Sequence, residues 1–216
     1  EMLRNWDGQM AADSAAAAFA NEARNQLATL TVEAYYGQVD GLAPQAPASH
    51  VALLAQLGKR SPMMLGEFES WEAAMERALL DAADALGERQ GTDPSAWRWG
   101  PDHEIVWAHN LGRDPELKPI FDLAPLPMDG DRNTVRNSST PMGATGMHGV
   151  SYRQILDVGD LNAARIVIPP GNSGQPGSPH YSDNVQRWLG MEYHPMFIEW
   201  GDIEANAESE LRLTPA

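Results

Sequence analysis

The chain contains no cysteine in its 216 residues. This absence excludes disulfide bonds, thiolate metal sites and a cysteine nucleophile, because all of them need the cysteine sulfur. Long apolar runs are also missing, since no window approaches the roughly 18 consecutive apolar residues of a membrane span. The sequence therefore predicts no membrane-spanning helix.

Positive charge is scarce, because 15 Lys and Arg stand against 30 Asp and Glu and leave a formal net charge of −15. Binding to a nucleic-acid backbone is excluded as an interpretation, since phosphate contacts need clusters of Lys and Arg. Hydrophobic residues make up 43% of the chain, enough for a core in one large domain or two small ones. The start at Glu1, without a signal-like apolar segment, suggests a processed product or a piece of something longer.

The first 95 residues are predicted to form a mainly helical region. Asp13 or Ser14 can cap a first helix, and the apolar pattern continues this helix through Val32. Its alanine-rich start would allow close packing against a neighbouring element. Ser49 is a candidate cap for a short second helix.

A third helix has the clearest signals. Ser70 can cap it, Gly91 is placed to end it, and Pro94 prevents its continuation. One apolar stripe at 3.6-residue spacing is predicted to pack into the core, formed by Trp71, Met75, Ala78, Leu79, Ala82 and Leu86.

Residues 96–216 are predicted to be a loop-rich region with short antiparallel strands. Gly112–Gly149 has the composition of a long loop, and such loops are usually functional or packed on another element. A helix or turn is predicted at Asp183–Leu189. The predicted strands are Glu104–His109, the antiparallel pair Val150–Val158 and Arg165–Ile168, and a closing strand at Leu211–Thr214.

One stretch, Val167–Asn184, has an unusual density of glycine and proline. Glycine permits positive φ, and proline fixes φ and lacks a donor, so together they predict a rigid, irregular path. The stretch is either a structural connection or a loop shaped to meet a substrate or a neighbouring chain. The glycines and prolines of this stretch are Gly171, Gly174, Gly177, Pro169, Pro170, Pro176 and Pro179.

The same stretch offers weak matches to serine-hydrolase chemistry. A nucleophile elbow needs G-x-S-x-G, but Gln175 replaces the last glycine of the match around Ser173. Ser178, His180 and Asp183 have the residue types of a triad, yet triad members converge from separated segments. His180 is therefore interpreted as a hydrogen-bonded structural histidine.

Metal-site patterns are incomplete. Asp129–Asn133 resembles the first half of a calcium loop, but Thr134 and Thr140 stand where that loop needs Gly and Glu, so a one-off cation site is the alternative left open. The histidines have no zinc-type spacing and form no H-E-x-x-H; they are His50, His103, His109, His148, His180 and His194.

Several of these segments, taken in order, resemble one family. Their order along the chain is similar to the order of segments in the C-terminal part of the β chain of penicillin acylase-type amidohydrolases. This family includes penicillin G acylases, acyl-homoserine-lactone acylases and aculeacin-type acylases. The resemblance covers nearly the whole chain. It rests on Trp6-Asp7-Gly8, Asp13–Ala16, Trp97–Gly100 with His103, Asp129–Thr134, Gly149–Arg153 and above all Pro170–Tyr181.

The resemblance implies an N-terminal nucleophile hydrolase, made as a precursor that cleaves itself into α and β chains. In such enzymes the first serine of the β chain attacks the amide with its own α-amine as base, and an asparagine and a backbone amide stabilise the oxyanion. The nucleophilic serine and the oxyanion asparagine lie upstream of the segment matched here. Most calcium ligands, where calcium is present, also lie upstream. A histidine–glutamate relay known in cephalosporin-type members finds no matching glutamate near Ser151 and Arg153. The resemblance thus implies no catalytic, cofactor-binding or metal-binding residue in this chain.

The expected fold class is α+β, the C-terminal portion of a four-layer αββα fold, with the two regions forming one structural unit. The expected function is participation in amide hydrolysis of a β-lactam antibiotic or an acyl-homoserine lactone, with the isolated chain inactive. The expected partners are the α and N-terminal β segments of the same precursor, in the periplasm or outside the cell. The alternatives are a stand-alone binding module and a serine hydrolase that uses Ser173 or Ser178.

Overall fold

The computed structural model describes residues 1–36, 57–139 and 148–214, and over these residues the chain has an α+β fold. It forms two compact units, Glu1–Ile105 with Pro125–His148 and Val106–Ala124 with Gly149–Ala216. The predicted boundary near residue 95 and the predicted single structural unit stay predictions. The helix expected after Ser49 lies outside the described residues, and in the described ranges no helix is long and apolar enough to cross a membrane.

Two long helices dominate the first unit: α1 spans Ala15–Tyr36 and α2 spans Trp71–Gln90. The Ser14 hydroxyl accepts the backbone N–H of Ala17 at 3.1 Å, so Ser14 is the cap of α1 and the alternative, Asp13, is not. Ser70 caps α2 by accepting the Ala73 N–H at 3.1 Å. Gly91 ends α2 with a φ of 93°, as predicted, because a glycine takes this conformation without steric cost.

Small residues allow α1 and α2 to pack closely against each other. The buried face of α2 consists of Trp71, Ala74, Ala78, Ala82 and Leu86. The predicted stripe is therefore wrong for Met75 and Leu79, which are 36% and 37% exposed. Alanines at the contact bring the helix backbones together and leave the longer side chains at the margin. Two apolar clusters result, one of Met10, Ala17, Ala18, Leu86, Trp97 and Trp99 and one of Leu27, Ala28, Trp71, Ala74 and Ala78.

Short strands complete the first unit. Strand β1 (Glu104–Ile105) pairs antiparallel with β2 (Leu126–Pro127). The strand predicted at Glu104–His109 is thus wrong in length, since it ends at Ile105 and a 3₁₀ turn follows at Asn110–Arg113. A second two-stranded sheet contains β3 (Ser138–Ser139) and β4 (His148–Gly149).

The second unit contains a three-stranded antiparallel sheet in the order β5-β6-β7. Strand β5 (Arg153–Ile155) pairs with β6 (Arg165–Val167), which pairs with β7 (His194–Pro195). The antiparallel pair predicted from the sequence is confirmed, although β5 is much shorter than Val150–Val158. The closing strand predicted at Leu211–Thr214 is wrong, because these residues have no regular structure and no strand partner among residues 1–36, 57–139 and 148–214.

Three short helices accompany this sheet: α3 (Lys118–Phe121), α4 (Val185–Leu189) and α5 (Trp200–Ala205). Helix α4 confirms the helix predicted near Asp183–Leu189. Its Trp188 is fully buried and donates its indole N–H to the Val150 carbonyl at 3.0 Å. Trp107 meets the Trp188 ring edge-on at 5.7 Å between ring centres, and the Arg153 guanidinium lies 4.4 Å from the centre of that ring. Trp188 is thus the centre of the core in this unit.

Candidate functional site

The glycine- and proline-rich stretch closes on itself through backbone hydrogen bonds. The Ser173 N–H donates to the His180 carbonyl at 3.0 Å, and the Asn184 N–H donates to the Pro170 carbonyl at 3.0 Å. A Cβ added to Gly171 would overlap the His180 carbonyl oxygen. A side chain is therefore excluded at Gly171 by the close approach of the two backbone segments.

The other two glycines of this stretch have no such role. A Cβ added to Gly174 or Gly177 would meet no atom within 4 Å, and neither residue has a positive φ. The prediction that the glycines together fix the path is therefore correct for Gly171 and wrong for Gly174 and Gly177. Turns that face solvent tolerate glycine without requiring it.

The two serines considered as nucleophiles are occupied by local backbone bonds. The Ser173 hydroxyl accepts the Gln175 N–H at 3.1 Å, and the Ser178 hydroxyl accepts the backbone N–H of His180 at 3.2 Å. The second bond caps the 3₁₀ turn Pro179–Tyr181. Neither hydroxyl bonds the His180 imidazole, so the nucleophile–base contact of a triad is not formed at these serines.

The His180 imidazole instead bridges two carboxylates. Its Nδ1 lies 2.8 Å from Asp183 Oδ2, and its Nε2 lies 2.9 Å from Glu208 Oε2. The hydrogen bond to Asp183, followed by the bond to Glu208, raises the pKa of His180 above its ordinary value. Both ring nitrogens thus face carboxylates, and neither faces a serine hydroxyl, so the contact between a nucleophile and a general base is not formed at His180. This geometry agrees with the interpretation of His180 as a structural histidine.

The loop that resembles half of a calcium site is an anchor for arginines and backbone amides. Asp131 is 5% exposed, and its Oδ2 accepts both terminal nitrogens of Arg24 at 3.1 Å. Asp129 accepts the Ala12 N–H at 2.7 Å through Oδ1 and Arg136 Nη1 at 2.5 Å through Oδ2. Cationic guanidinium groups at these carboxylates compete with a metal ion for the same oxygens. The carboxylates of this loop therefore do not fit the one-off cation site left open from the sequence.

Gly130 is required in this loop. It has a φ of 90°, and a Cβ at this position would overlap the Arg136 carbonyl oxygen. The Asp131 side chain also accepts the Asn133 N–H at 2.7 Å, which forms an Asx turn. The sequence Asp-Gly-Asp-Arg-Asn thus specifies a turn that presents Asp131 to Arg24 on α1.

A buried serine–histidine pair was missed from the sequence. His103 Nε2 lies 2.8 Å from the Ser138 hydroxyl oxygen, and the His103 ring stacks on Trp99 at 4.4 Å between ring centres. His103 and Ser138 are 2% and 0% exposed, so no substrate reaches them. Burial lowers the pKa of His103 to about 4, which keeps the ring neutral at pH 7. The 35-residue separation of the pair gives no local signal that could reveal it.

No metal centre is formed by the residues that the structure describes, because no three of their His, Asp or Glu side chains are grouped to hold an ion. His50 lies outside the described residues. His194 bonds the Asn184 side chain at 2.5 Å, and the His109 Nδ1 accepts the Leu111 N–H at 3.1 Å. These contacts use the histidines as local connectors within the second unit.

Comparison with known proteins supplies the functional context that this geometry lacks. A family model described as penicillin amidase matches residues 1–205. The chain is similar to penicillin acylase 2 proenzyme of Pseudomonas sp. strain SE83, with 29% identity over 100% of this chain and 28% of that protein. It is also similar to the acyl-homoserine lactone acylase QuiP of Pseudomonas aeruginosa, with 29% identity over 68% of this chain and 19% of that protein.

A solved structure similar to this chain is a thermostable penicillin G acylase from Alcaligenes faecalis, with 20% identity and a TM-score of 0.49. The match covers 100% of this chain and 42% of that one. The chain thus spans less than a third of the length of the two curated relatives above.

Proposed function

We propose, because the chain belongs to the penicillin amidase family, that it is a structural part of an amidohydrolase whose reacting serine lies outside these 216 residues. The whole enzyme hydrolyses the amide of an acylated small molecule and releases a carboxylic acid and an amine. A β-lactam antibiotic and an acyl-homoserine lactone are the two substrate classes, in keeping with the names of the similar acylases.

The observation that carries this proposal is the family match over residues 1–205, in a chain that spans 28% of a relative's length. The local contacts agree with it. The hydroxyls of Ser173 and Ser178 cap backbone turns, and the His180 imidazole is held between two carboxylates. These local roles of Ser173, Ser178 and His180 support a structural contribution of this segment to the enzyme.

The partners in this proposal are the α segment and the N-terminal β segment of the same precursor. Together they form a four-layer αββα fold, to which β5 and β6 of this chain contribute strands. The location in this proposal is the periplasm or the outside of the cell, as expected from the family resemblance. Most of the calcium ligands, where the whole enzyme uses calcium, are expected upstream of this chain.

The rival interpretation is a stand-alone binding module. Such a module needs a closed sheet and few exposed apolar edges. The sheet of the second unit is instead open, with three strands, and many large apolar side chains of this unit are exposed. These observations favour a part of a larger enzyme over an independent module.

Hydrolysis measured on two preparations tests the proposal. The whole enzyme and the purified 216-residue chain are each incubated with a penicillin and with an acyl-homoserine lactone, and the released amine is quantified. We expect turnover by the whole enzyme and none by the chain. Turnover by the chain at a rate comparable with the whole enzyme would overturn the proposal.

A further inference from the structure

The chain contains three Asp-Gly dipeptides, at Asp7–Gly8, Asp40–Gly41 and Asp129–Gly130. In such a pair the backbone nitrogen of the glycine can attack the side-chain carboxyl carbon of the aspartate, because glycine has no side chain to shield that nitrogen. Whether a folded protein permits this attack depends on the hydrogen bonds and the burial of the pair. Asp40–Gly41 lies outside the described residues, so the structure compares the pairs at Asp7 and Asp129.

The pair at Asp7 is open to this attack. Asp7 and Gly8 are both exposed to solvent. Among the described residues the Gly8 N–H has no hydrogen-bond acceptor, although the next N–H, that of Gln9, donates to Asp7 Oδ1 at 2.9 Å. Gly8 has a φ of 82°, and a Cβ added there would meet no atom within 4 Å. The backbone at Gly8 therefore has open space in which to rotate.

The hydrogen bond from Gln9 holds the Asp7 carboxyl group beside the Gly8 peptide. In this Asx turn the bond closes a ring of atoms that runs from the carboxyl group through the Gly8 nitrogen to the Gln9 nitrogen. The carbon that is attacked and the nitrogen that attacks are thus neighbours in the folded chain. The same turn forms at Asp157, but Val158 follows that residue, and its branched side chain shields the nitrogen.

The pair at Asp129 is closed to the same reaction. Gly130 is buried, and its N–H donates to the Met10 carbonyl at 2.7 Å. The Asp129 carboxylate accepts the Ala12 N–H at 2.7 Å and Arg136 Nη1 at 2.5 Å. Attack at Asp129 therefore requires a local opening that breaks all three bonds.

We propose that Asp7 is a site of spontaneous isomerisation in the folded enzyme and that Asp129 is protected from it. The Gly8 nitrogen bonds to the side-chain carboxyl carbon of Asp7, and its proton leaves with the hydroxyl group of the carboxylic acid as water. A water molecule then opens the resulting succinimide at either carbonyl carbon, which returns aspartate or gives isoaspartate. One water leaves and one is added, so no other reactant is needed. This inference does not depend on the hydrolytic activity of the enzyme.

Isoaspartate at this position disturbs the turn that holds Trp6. The change adds the Asp7 Cβ to the main chain and displaces the carboxylate, so the Gln9 N–H loses its acceptor. The Gln9 carbonyl accepts the Trp6 indole N–H at 2.9 Å, and Trp6 packs against the apolar cluster that contains Met10. Isomerisation therefore loosens the contact between this turn and the core of the first unit.

Ageing of the whole enzyme in neutral buffer made with heavy-oxygen water tests this inference. Each opening of a succinimide places one solvent oxygen in the residue, so the peptide masses report the reaction at each site. Isoaspartate is identified by its separate chromatographic peak and by resistance to a protease that cleaves before aspartate. We expect oxygen uptake at Asp7 to exceed uptake at Asp129 by roughly tenfold or more in the folded enzyme, because only the reaction at Asp129 needs local opening.

The same enzyme in urea is the matched control, because unfolding removes the hydrogen bonds and leaves both sites as simple Asp-Gly dipeptides. In urea we expect Asp7 and Asp129 to take up oxygen at similar rates. Equal uptake at the two sites in the folded enzyme would overturn the inference. Uptake at Asp7 that is more than roughly tenfold slower in the folded enzyme than in urea would also overturn it, since the fold would then protect this site.

Discussion

The backbone carbonyl of His180 fills the space that a side chain on Gly171 would need. The same carbonyl accepts the Ser173 N–H at 3.0 Å. The backbone near Gly171 thus packs directly against the backbone at His180, and glycine permits this contact because it has no side chain. The most distinctive stretch of the sequence is explained by packing, with no reacting group required.

The two glycines Gly171 and Gly174 give a matched test of this packing. Gly171→Ala should lower the free energy of unfolding by about 1–3 kcal/mol, because the added methyl group forces the backbone segments apart. Gly174→Ala should change it by less than about 1 kcal/mol, since nothing lies within 4 Å of the added Cβ. Thermal unfolding midpoints of the whole enzyme check both, and equal midpoints for the two variants would contradict the packing argument.

The buried His103 should make stability depend on pH. Its pKa is about 4 in the folded chain, against 6.5 for an unperturbed histidine, because burial penalises the charged ring. Below pH 6.5 the unfolded chain therefore binds a proton that the folded chain does not, so stability falls as the pH drops from 6.5 towards 4. The loss is of the order of 3 kcal/mol at most.

Unfolding midpoints measured from pH 7 to pH 4 for the wild type and H103Q check this dependence. The variant keeps a polar group for Ser138 but cannot titrate in this range. We expect a shallower pH dependence in H103Q than in the wild type. Identical slopes in the two proteins would assign the acid sensitivity to other groups.

Loss of the buried carboxylate of Asp131 should lower the free energy of unfolding far more than loss of an exposed carboxylate. Asp131→Asn weakens its bonds to Arg24 and leaves this arginine without a compensating charge, at a cost of about 3 kcal/mol. Glu72→Gln is the control, because Glu72 and its partner Arg60 are 60% and 72% exposed and such pairs contribute less than about 1 kcal/mol. Denaturant titrations compare the two, and similar losses would contradict the anchoring role of Asp131.

Replacement of the local serines should spare catalysis. Ser173→Ala and Ser178→Ala remove hydroxyls that cap backbone turns, so we expect kcat/KM of the whole enzyme to change by less than about twofold. Loss of a true nucleophile lowers kcat by several orders of magnitude. A fall in kcat/KM of about a thousandfold in either variant would contradict this prediction and indicate that the serine takes part in catalysis.

Local signals in the sequence predicted local structure correctly. Ser70 and Gly91 mark the ends of α2, because a cap and a C-terminal glycine act within one turn of the helix. The buried face of α2 was predicted less well, since periodicity cannot tell whether Met75 or Ala74 meets the neighbouring helix. That choice depends on how closely α1 approaches, which is a tertiary property.

Strands were harder to predict than helices. An apolar segment becomes a strand only where a partner lies beside it, and Leu211–Thr214 has none in the described residues. The contacts of the candidate site are also non-local, since Arg24 and Asp131 are separated by 107 positions. The Asx turn at Asp131 is visible in the sequence, but the arginine that it meets is not.

The location of the reacting serine tests the central claim most directly. The whole enzyme is treated with a serine-reactive sulfonyl fluoride until hydrolysis stops, and the modified residue is identified by peptide mass. We expect a single modified serine outside these 216 residues, with Ser173 and Ser178 unmodified. A sulfonyl adduct on either of these two serines, formed in step with the loss of activity, would contradict it.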